Sequence, residues 1–233
     1  MAMTLSEMQE FVRRHADADE EDAPNSSLEV YGRIAYNDIL SRRNGWPHLA
    51  VTYNLTTVAG TADYDLSGFS TTDMDIITSI VDQVSLGRRL IYVTQADADI
   101  AFGTPVSSTS DLAVAYNVRG NTVTLYPTPS AVKTYRVRGF RTAATWPSGA
   151  GTSPDLPDAL HEAIAWYMLS SYFLAQEDTQ LAGVYMQEYE TMVDRHLKNE
   201  TTREYSSRVQ VMGGQNHRYP GSFTRWVRGS LEG

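Results

Sequence analysis

The sequence contains no cysteine among its 233 residues. That absence excludes disulfides, thiolate metal sites, iron–sulfur clusters and cysteine nucleophiles, so the chain depends on no oxidising compartment. It has no run of about 18 apolar residues, the length a bilayer demands, and no membrane span is expected. Residues Met1 to Glu10 lack the basic-then-apolar order of a secretory signal. Basic residues are scarce as well: 19 Lys and Arg stand against 28 Asp and Glu, for a net charge of −9. A pI near 5.0 argues against a protein that coats DNA.

Catalytic and metal-binding motifs are equally wanting. None of the histidines (His15, His48, His161, His196, His217) stands four residues from another. His161-Glu162 starts like H-E-x-x-H, but Ala163-Ile164-Ala165 follows with no second histidine. There is no G-x-S-x-G elbow and no P-loop. Asp73 and Asp75, like Asp97 and Asp99, are carboxylates two apart, a spacing too common to mark a site. The run Asp17 to Asp22 has no glycine for the turn of a Ca²⁺ loop, so it reads as solvated. We therefore expect no enzyme, no metal and no cofactor.

The net charge conceals a division. Residues 1–194 carry −13 and residues 195–233 carry +4. An acidic body with a basic tail suggests that the two parts meet different partners.

Periodicity separates the chain into four parts. In residues 1–48, Thr4 and Glu7 form a capping box before a first helix. Ser26 or Ser27 opens a second helix that runs to about Arg43 and stops at Asn44-Gly45-Trp46-Pro47. Residues 49–144 alternate in strand fashion, as in Val51, Tyr53 and Leu55. Six to seven strands are expected, in a small antiparallel sheet or sandwich. They include a hairpin around Arg119-Gly120-Asn121, where the Gly-Asn pair supplies positive φ. Gln95 to Phe102 reads as one or two helical turns.

In residues 145–204, Pro157 suits the first position of a helix reaching about Glu177. Asp178 then caps a last helix to about Glu204. The first of these two is apolar around much of its circumference, which suits packing against other helices or subunits. Leu160, Ile164, Tyr167, Met168, Phe173, Tyr185 and Tyr189 are the candidates for ring or bundle packing. Residues 205–233 lack periodicity yet hold several aromatics, unlike a disordered linker. They read as an extended arm that orders on a partner. Arg203, Arg208, Arg218, Tyr219, Phe223, Arg225, Trp226 and Arg228 are its candidate contacts, of the types that dominate interfaces. An acidic protein surface fits them better than nucleic acid, because the basic residues are sparse.

The fold expected is α+β: a helical bundle built from N-terminal and C-terminal helices, an inserted antiparallel β domain, and an extended C-terminal arm. The order of elements resembles the head-to-tail adaptor (head-completion or connector) proteins of tailed bacteriophages. Thr57-Val58-Ala59-Gly60-Thr61-Ala62-Asp63-Tyr64-Asp65-Leu66 resembles that family's t-v-a-G-t-x-x-Y-x-L stretch. Leu125-Tyr126-Pro127-Thr128-Pro129 resembles its l-y-P-x-P stretch. Leu156-Pro157 with His161, Ala163 and Ile164 resembles its L-P-x-x-x-h-x-a-i helix start, and Asp178, Ala182 and Tyr185 its closing helix. The likeness spans about residues 1–200.

What it implies is a ring subunit, in twelve copies, placed in the virion neck between the portal protein and a downstream tail or neck protein. DNA would pass through the channel without sequence-specific binding. The arm would dock on the portal, assembly would occur in the host bacterial cytoplasm, and no membrane would be involved. Another tail-completion or decoration protein is the alternative, with a carbohydrate-binding or hydrolytic β domain behind it.

Overall fold

The computed structural model describes residues 2–66, 74–83, 87–103 and 109–212, with the backbone alone from 202 to 212. The chain is an α+β fold with helices at both ends and strands between them. It forms two compact units. The helical one combines Met1–Asn44 with the stretch that starts at Ala143, and the β unit occupies Gly45–Thr142.

The helical unit is assembled around α4 (Asp158–Ala175), against which α1 (Leu5–Ala16), α2 (Asn25–Ser41) and α5 (Thr179–Met212) pack. α1 begins with the expected capping box: the Glu7 N–H donates to Thr4 Oγ1, and Thr4 N–H donates to Glu7 Oε2 at 2.7 Å. That contact holds the Glu7 carboxyl below its ordinary value.

α2 starts earlier than expected. Its N-cap is Pro24, whose carbonyl accepts from Leu28 N–H, so Ser26 and Ser27 fall within the first turn. Pro157 likewise is the N-cap of α4 and not its first residue. Asp178 caps α5 as read, accepting from Leu181 N–H at 3.0 Å. The helix, however, continues through Met212, past the expected end near Glu204.

His161 is buried and its ring ties loops to α4. Its Nδ1 accepts from Met3 N–H at 2.9 Å. Its Nε2 lies 3.2 Å from the Pro154 carbonyl and 3.0 Å from that of Leu156. A donor facing Nδ1 and two carbonyls facing Nε2 suit the tautomer that carries its proton on Nε2. The histidine that begins like a zinc motif is thus a structural clamp.

The β unit holds a three-stranded antiparallel sheet ordered β1 (Ala50–Thr56), β9 (Thr134–Arg141), β3 (Met74–Asp82). A second sheet is ordered β2 (Asp63–Asp65), β7 (Thr122–Tyr126), β6 (Ala115–Arg119), β4 (Ile91–Tyr92). A short pair joins β5 (Thr109–Ser110) to β8 (Thr128–Pro129), and α3 (Gln95–Phe102) follows β4. The longer pairings are antiparallel, as expected, but β4–β6 and β5–β8 are parallel. Each parallel pair is two residues long and joins distant segments, so no local turn announces it. The expected hairpin is β6–β7; only Gly120, at φ 54°, takes the positive φ, and Asn121 does not.

One core serves both sheets. Leu55, Ile80, Tyr135 and Val137 from the first pack with Tyr64, Tyr116, Val123 and Leu125 from the second. The residues that carried the family likeness lock the turns around this core. Tyr64 Oη donates to the Thr61 carbonyl at 2.6 Å and also contacts the backbone of Val58. Thr57 Oγ1 accepts from Lys133 N–H at 2.8 Å, and Gly60, at φ 78°, donates to the Pro129 carbonyl.

Candidate functional site

Asp97 accepts from Thr94 at the start of α3, and Asp99 from Gln95 on the same helix. Asp75 is exposed, and Asp73 lies outside the described residues. In the acidic run, Asp17 takes the left-handed C-cap of α1 and Asp19 Oδ1 accepts from Glu21 and Asp22 N–H. Among the described residues no group of three His, Asp or Glu is placed to hold a metal. Nor is any helix among them long and apolar enough to cross a membrane.

Of the packing candidates, Leu160, Ile164, Met168 and Tyr189 are fully buried within the chain's own bundle. α4 reads as too apolar for a lone subunit, yet α1, α2 and α5 of the same chain cover it. Its apolar circumference therefore does not by itself call for a neighbour. Tyr167, Phe173 and Tyr185 are half-buried. They belong to a run of touching rings: Phe11 meets Trp166 edge-on at 4.9 Å, Trp166 stacks on Tyr185 at 5.5 Å, and Tyr185 on Phe173 at 5.5 Å. Such contacts add to area burial and fix the relative rotation of the helices.

One polar cluster welds α2 to α5. Arg42 forks onto Glu190 at 2.5 and 2.7 Å, and its Nε donates to Asp38 at 2.8 Å. Tyr189 Oη donates to the same Asp38 carboxylate, while the Arg42 guanidinium lies 5.3 Å over the Tyr189 ring. The bidentate fork sets direction as well as distance. Arg42 holds the Glu190 carboxyl below its ordinary value. Burial, with the Asp38 carboxylate second, pushes the Tyr189 hydroxyl well above 10. Asp38 and Arg42 stand four apart in sequence, but their partner lies 148 residues further on, so only half of the cluster is visible in the chain's order.

The arm candidates fare differently. Arg203 and Arg208 fall on the last turns of α5, where the backbone is helical. Arg218, Tyr219, Phe223, Arg225, Trp226 and Arg228 lie outside the described residues.

Two exposed surfaces escaped the sequence reading. On the outer face of the first sheet, Arg136 and Arg138 of β9 project between Asn54 and Thr52 of β1 and Val81 and Ser79 of β3. Arg89 joins them by its bridge to Val81. The helical unit leaves Leu174 of α4 and Leu181 and Val184 of α5 exposed. Both surfaces are exposed to solvent.

The sequence profile of the SU10 adaptor protein family matches residues 3–212, which span both units and end with α5. No curated protein matches the chain.

Proposed function

The chain belongs to the SU10 adaptor protein family and is a structural component of a phage virion; from that premise we propose that it is the subunit of a twelve-copy ring in the neck. The ring joins the portal to the first tail protein and continues the DNA channel. Its role is mechanical, with no catalytic step, and it assembles in the host cytoplasm. The observation that carries this reading is the extent of the family match, which takes in the helices, the inserted β unit and the whole of α5.

Charge and length support the finer parts. The −13 carried by residues 1–194 repels a phosphate backbone, so DNA can slide past without being gripped. α5 has 34 residues, about 51 Å at 1.5 Å per residue. Its antiparallel neighbour α4 has 18 residues, about 27 Å by the same rise. The connection between them is three residues long, Gln176 to Asp178, so α5 overhangs α4 by roughly 24 Å. The overhang includes the first part of the expected arm, residues 205–212, and carries the rest, residues 213–233, to a partner beyond the bundle. There Arg203, Arg208, Arg218 and Arg225, with Tyr219, Phe223, Trp226 and Arg228, grip the portal.

Removal of residues 213–233 leaves α5 entire. The shortened protein is expected to stay folded but to lose binding to purified portal in co-sedimentation. Trp226→Ala in the full chain should weaken the same binding by about 2 kcal/mol, the scale of an interfacial hot spot. Undiminished portal binding by the shortened protein removes the arm from the account; a portal that ignores the full chain removes the account itself.

A further inference from the structure

We infer that neighbouring copies in the assembly meet head to tail, the arginine face of the β unit of one copy against the α4–α5 hairpin of the next. The inference rests on the ring reading and names the surfaces that close the ring.

The first surface is a pair of rows on a sheet face in which every charge is of one sign. In an antiparallel sheet, residues in register share a face. One row reads Asn54, Arg136, Val81 and Arg89, and the next Thr52, Arg138 and Ser79. Arg136 and Arg138 alternate with buried Tyr135 and Val137, and are themselves exposed. Two residues along a strand set their stems roughly 7 Å apart. None of the positions in these rows is a carboxylate. Among the described residues the guanidiniums of Arg136 and Arg138 make no hydrogen bond or ion pair, and Arg89 donates only to the Thr78 carbonyl. Val81 in the first row, and Ile76 and Phe140 beside the second, give the face an apolar component. Ile76 is 38% exposed.

The second surface is its complement. Residues 143–194 hold eight carboxylates and no lysine or arginine. Leu181, Val184 and Glu188 follow the helical spacing that aligns side chains on one side of α5. Leu181 is 38% and Val184 55% exposed, and Leu174, at the adjoining end of α4, is 60% exposed. Glu177, between the helices, and Glu188 are exposed. No hydrogen bond or ion pair engages either side chain among the described residues. This is an apolar strip bordered by free carboxylates, facing outward from a bundle whose own core is already closed.

A surface of free arginines around apolar residues fits a surface of free carboxylates around apolar residues. Because the two lie on different parts of one chain, their contact is heterologous, the type that propagates from copy to copy and gives a ring where the rotation between copies closes. Interfacial charges of this kind set partner choice, and like charges brought together are strongly unfavourable. A second copy offers this face exposed carboxylates and an apolar strip together, and is therefore the occupant that matches both of its components.

The test uses charge reversal in the full chain. One variant carries Arg136→Glu and Arg138→Glu; the other carries Glu177→Arg and Glu188→Arg. All four positions are exposed, and unchanged melting temperatures establish that each variant folds. Mass is measured by native mass spectrometry in the presence of purified portal. The wild type should form the multi-copy assembly. Each variant alone should populate it at least about tenfold less, from the like charges then facing each other. An equimolar mixture of the two should restore it, because every contact in an alternating ring again pairs opposite charges.

Wild-type assembly with both variants assembling normally overturns the inference while leaving the ring intact. A wild type that never exceeds one copy overturns the ring reading, and this inference with it. Loss of duplex-DNA binding by the arginine variant, with assembly unchanged, assigns the face to nucleic acid and equally overturns the inference.

Discussion

Replacing Gly139 with valine is expected to unfold the β unit. Gly139 lies on the buried side of β9, the central strand of its sheet, next to the irregularities in the β3 register. A Cβ there would stand 2.1 Å from the Ile76 carbonyl oxygen and 2.9 Å from the Met74 sulfur. The sulfur can swing away, but the carbonyl belongs to the neighbouring strand. Glycine within a strand marks such close backbone approach. Relief would require β3 to leave β9, and with it Ile80 and Val137 to leave the shared core. We expect a loss of about 3 kcal/mol or more, at the upper end of overpacking effects. Hydrogen exchange should show β3 and β9 amides deprotected under conditions where those of α4 remain slow. A melting curve like that of the wild type would contradict the account of this sheet.

The second large effect is expected at Tyr189. Its ring is buried, meets Tyr167 edge-on at 5.1 Å and lies beneath Arg42, and its hydroxyl donates to Asp38. Tyr189→Ala removes the ring that α2, α4 and α5 share and should cost about 3–5 kcal/mol, as for other buried aromatics. Tyr189→Phe keeps the ring and loses only the hydrogen bond, about 1–2 kcal/mol.

The two variants also separate in alkali. Burial raises the Tyr189 hydroxyl above its ordinary value of 10. A group whose acid form is favoured in the folded state stabilises fully below its unfolded pKa, and that stabilisation is lost as pH rises above it. Wild-type unfolding free energy should therefore fall as pH rises beyond about 10, and Tyr189→Phe should lack part of that fall. Equal alkaline slopes would remove Tyr189 from the coupling between helices.

How far the chain's order reveals these features depends on how local their causes are. The α1 capping box, the Asp178 cap and the Gly120 hairpin are each written within four residues and were legible. The start of α2 was misread because Ser26 and Ser27 are good caps in isolation. The bend before the helix is instead held by Arg13, whose guanidinium donates to the Ala23 carbonyl and the Asn25 side chain.

α4 shows the limit of composition. An apolar helix announces burial but not what buries it, and three helices of the same chain do so here. The arginine face was invisible for a related reason. Arg136 and Arg138 are ordinary outward residues of one strand until β1 and β3 flank them with neutral side chains and the β3–Arg89 bridge adds a third guanidinium. Long-range pairing, and not any motif, made that surface.

The motif residues were legible as signals without being legible as causes. Tyr64 and Gly60 stand out in sequence, and their role is to close a turn onto Pro129 and the backbone of Val58 and Thr61. The family likeness thus rests on residues that shape the scaffold, while the surfaces proposed to meet neighbours lie elsewhere.

The central claim is the proposal that this chain is the subunit of a twelve-copy ring in the neck. Its most direct test is the mass of the purified full-length protein, alone and after mixing with purified portal. The account predicts a discrete complex carrying twelve copies on one portal. A single copy per portal, or a protein that leaves the portal unbound, would contradict it.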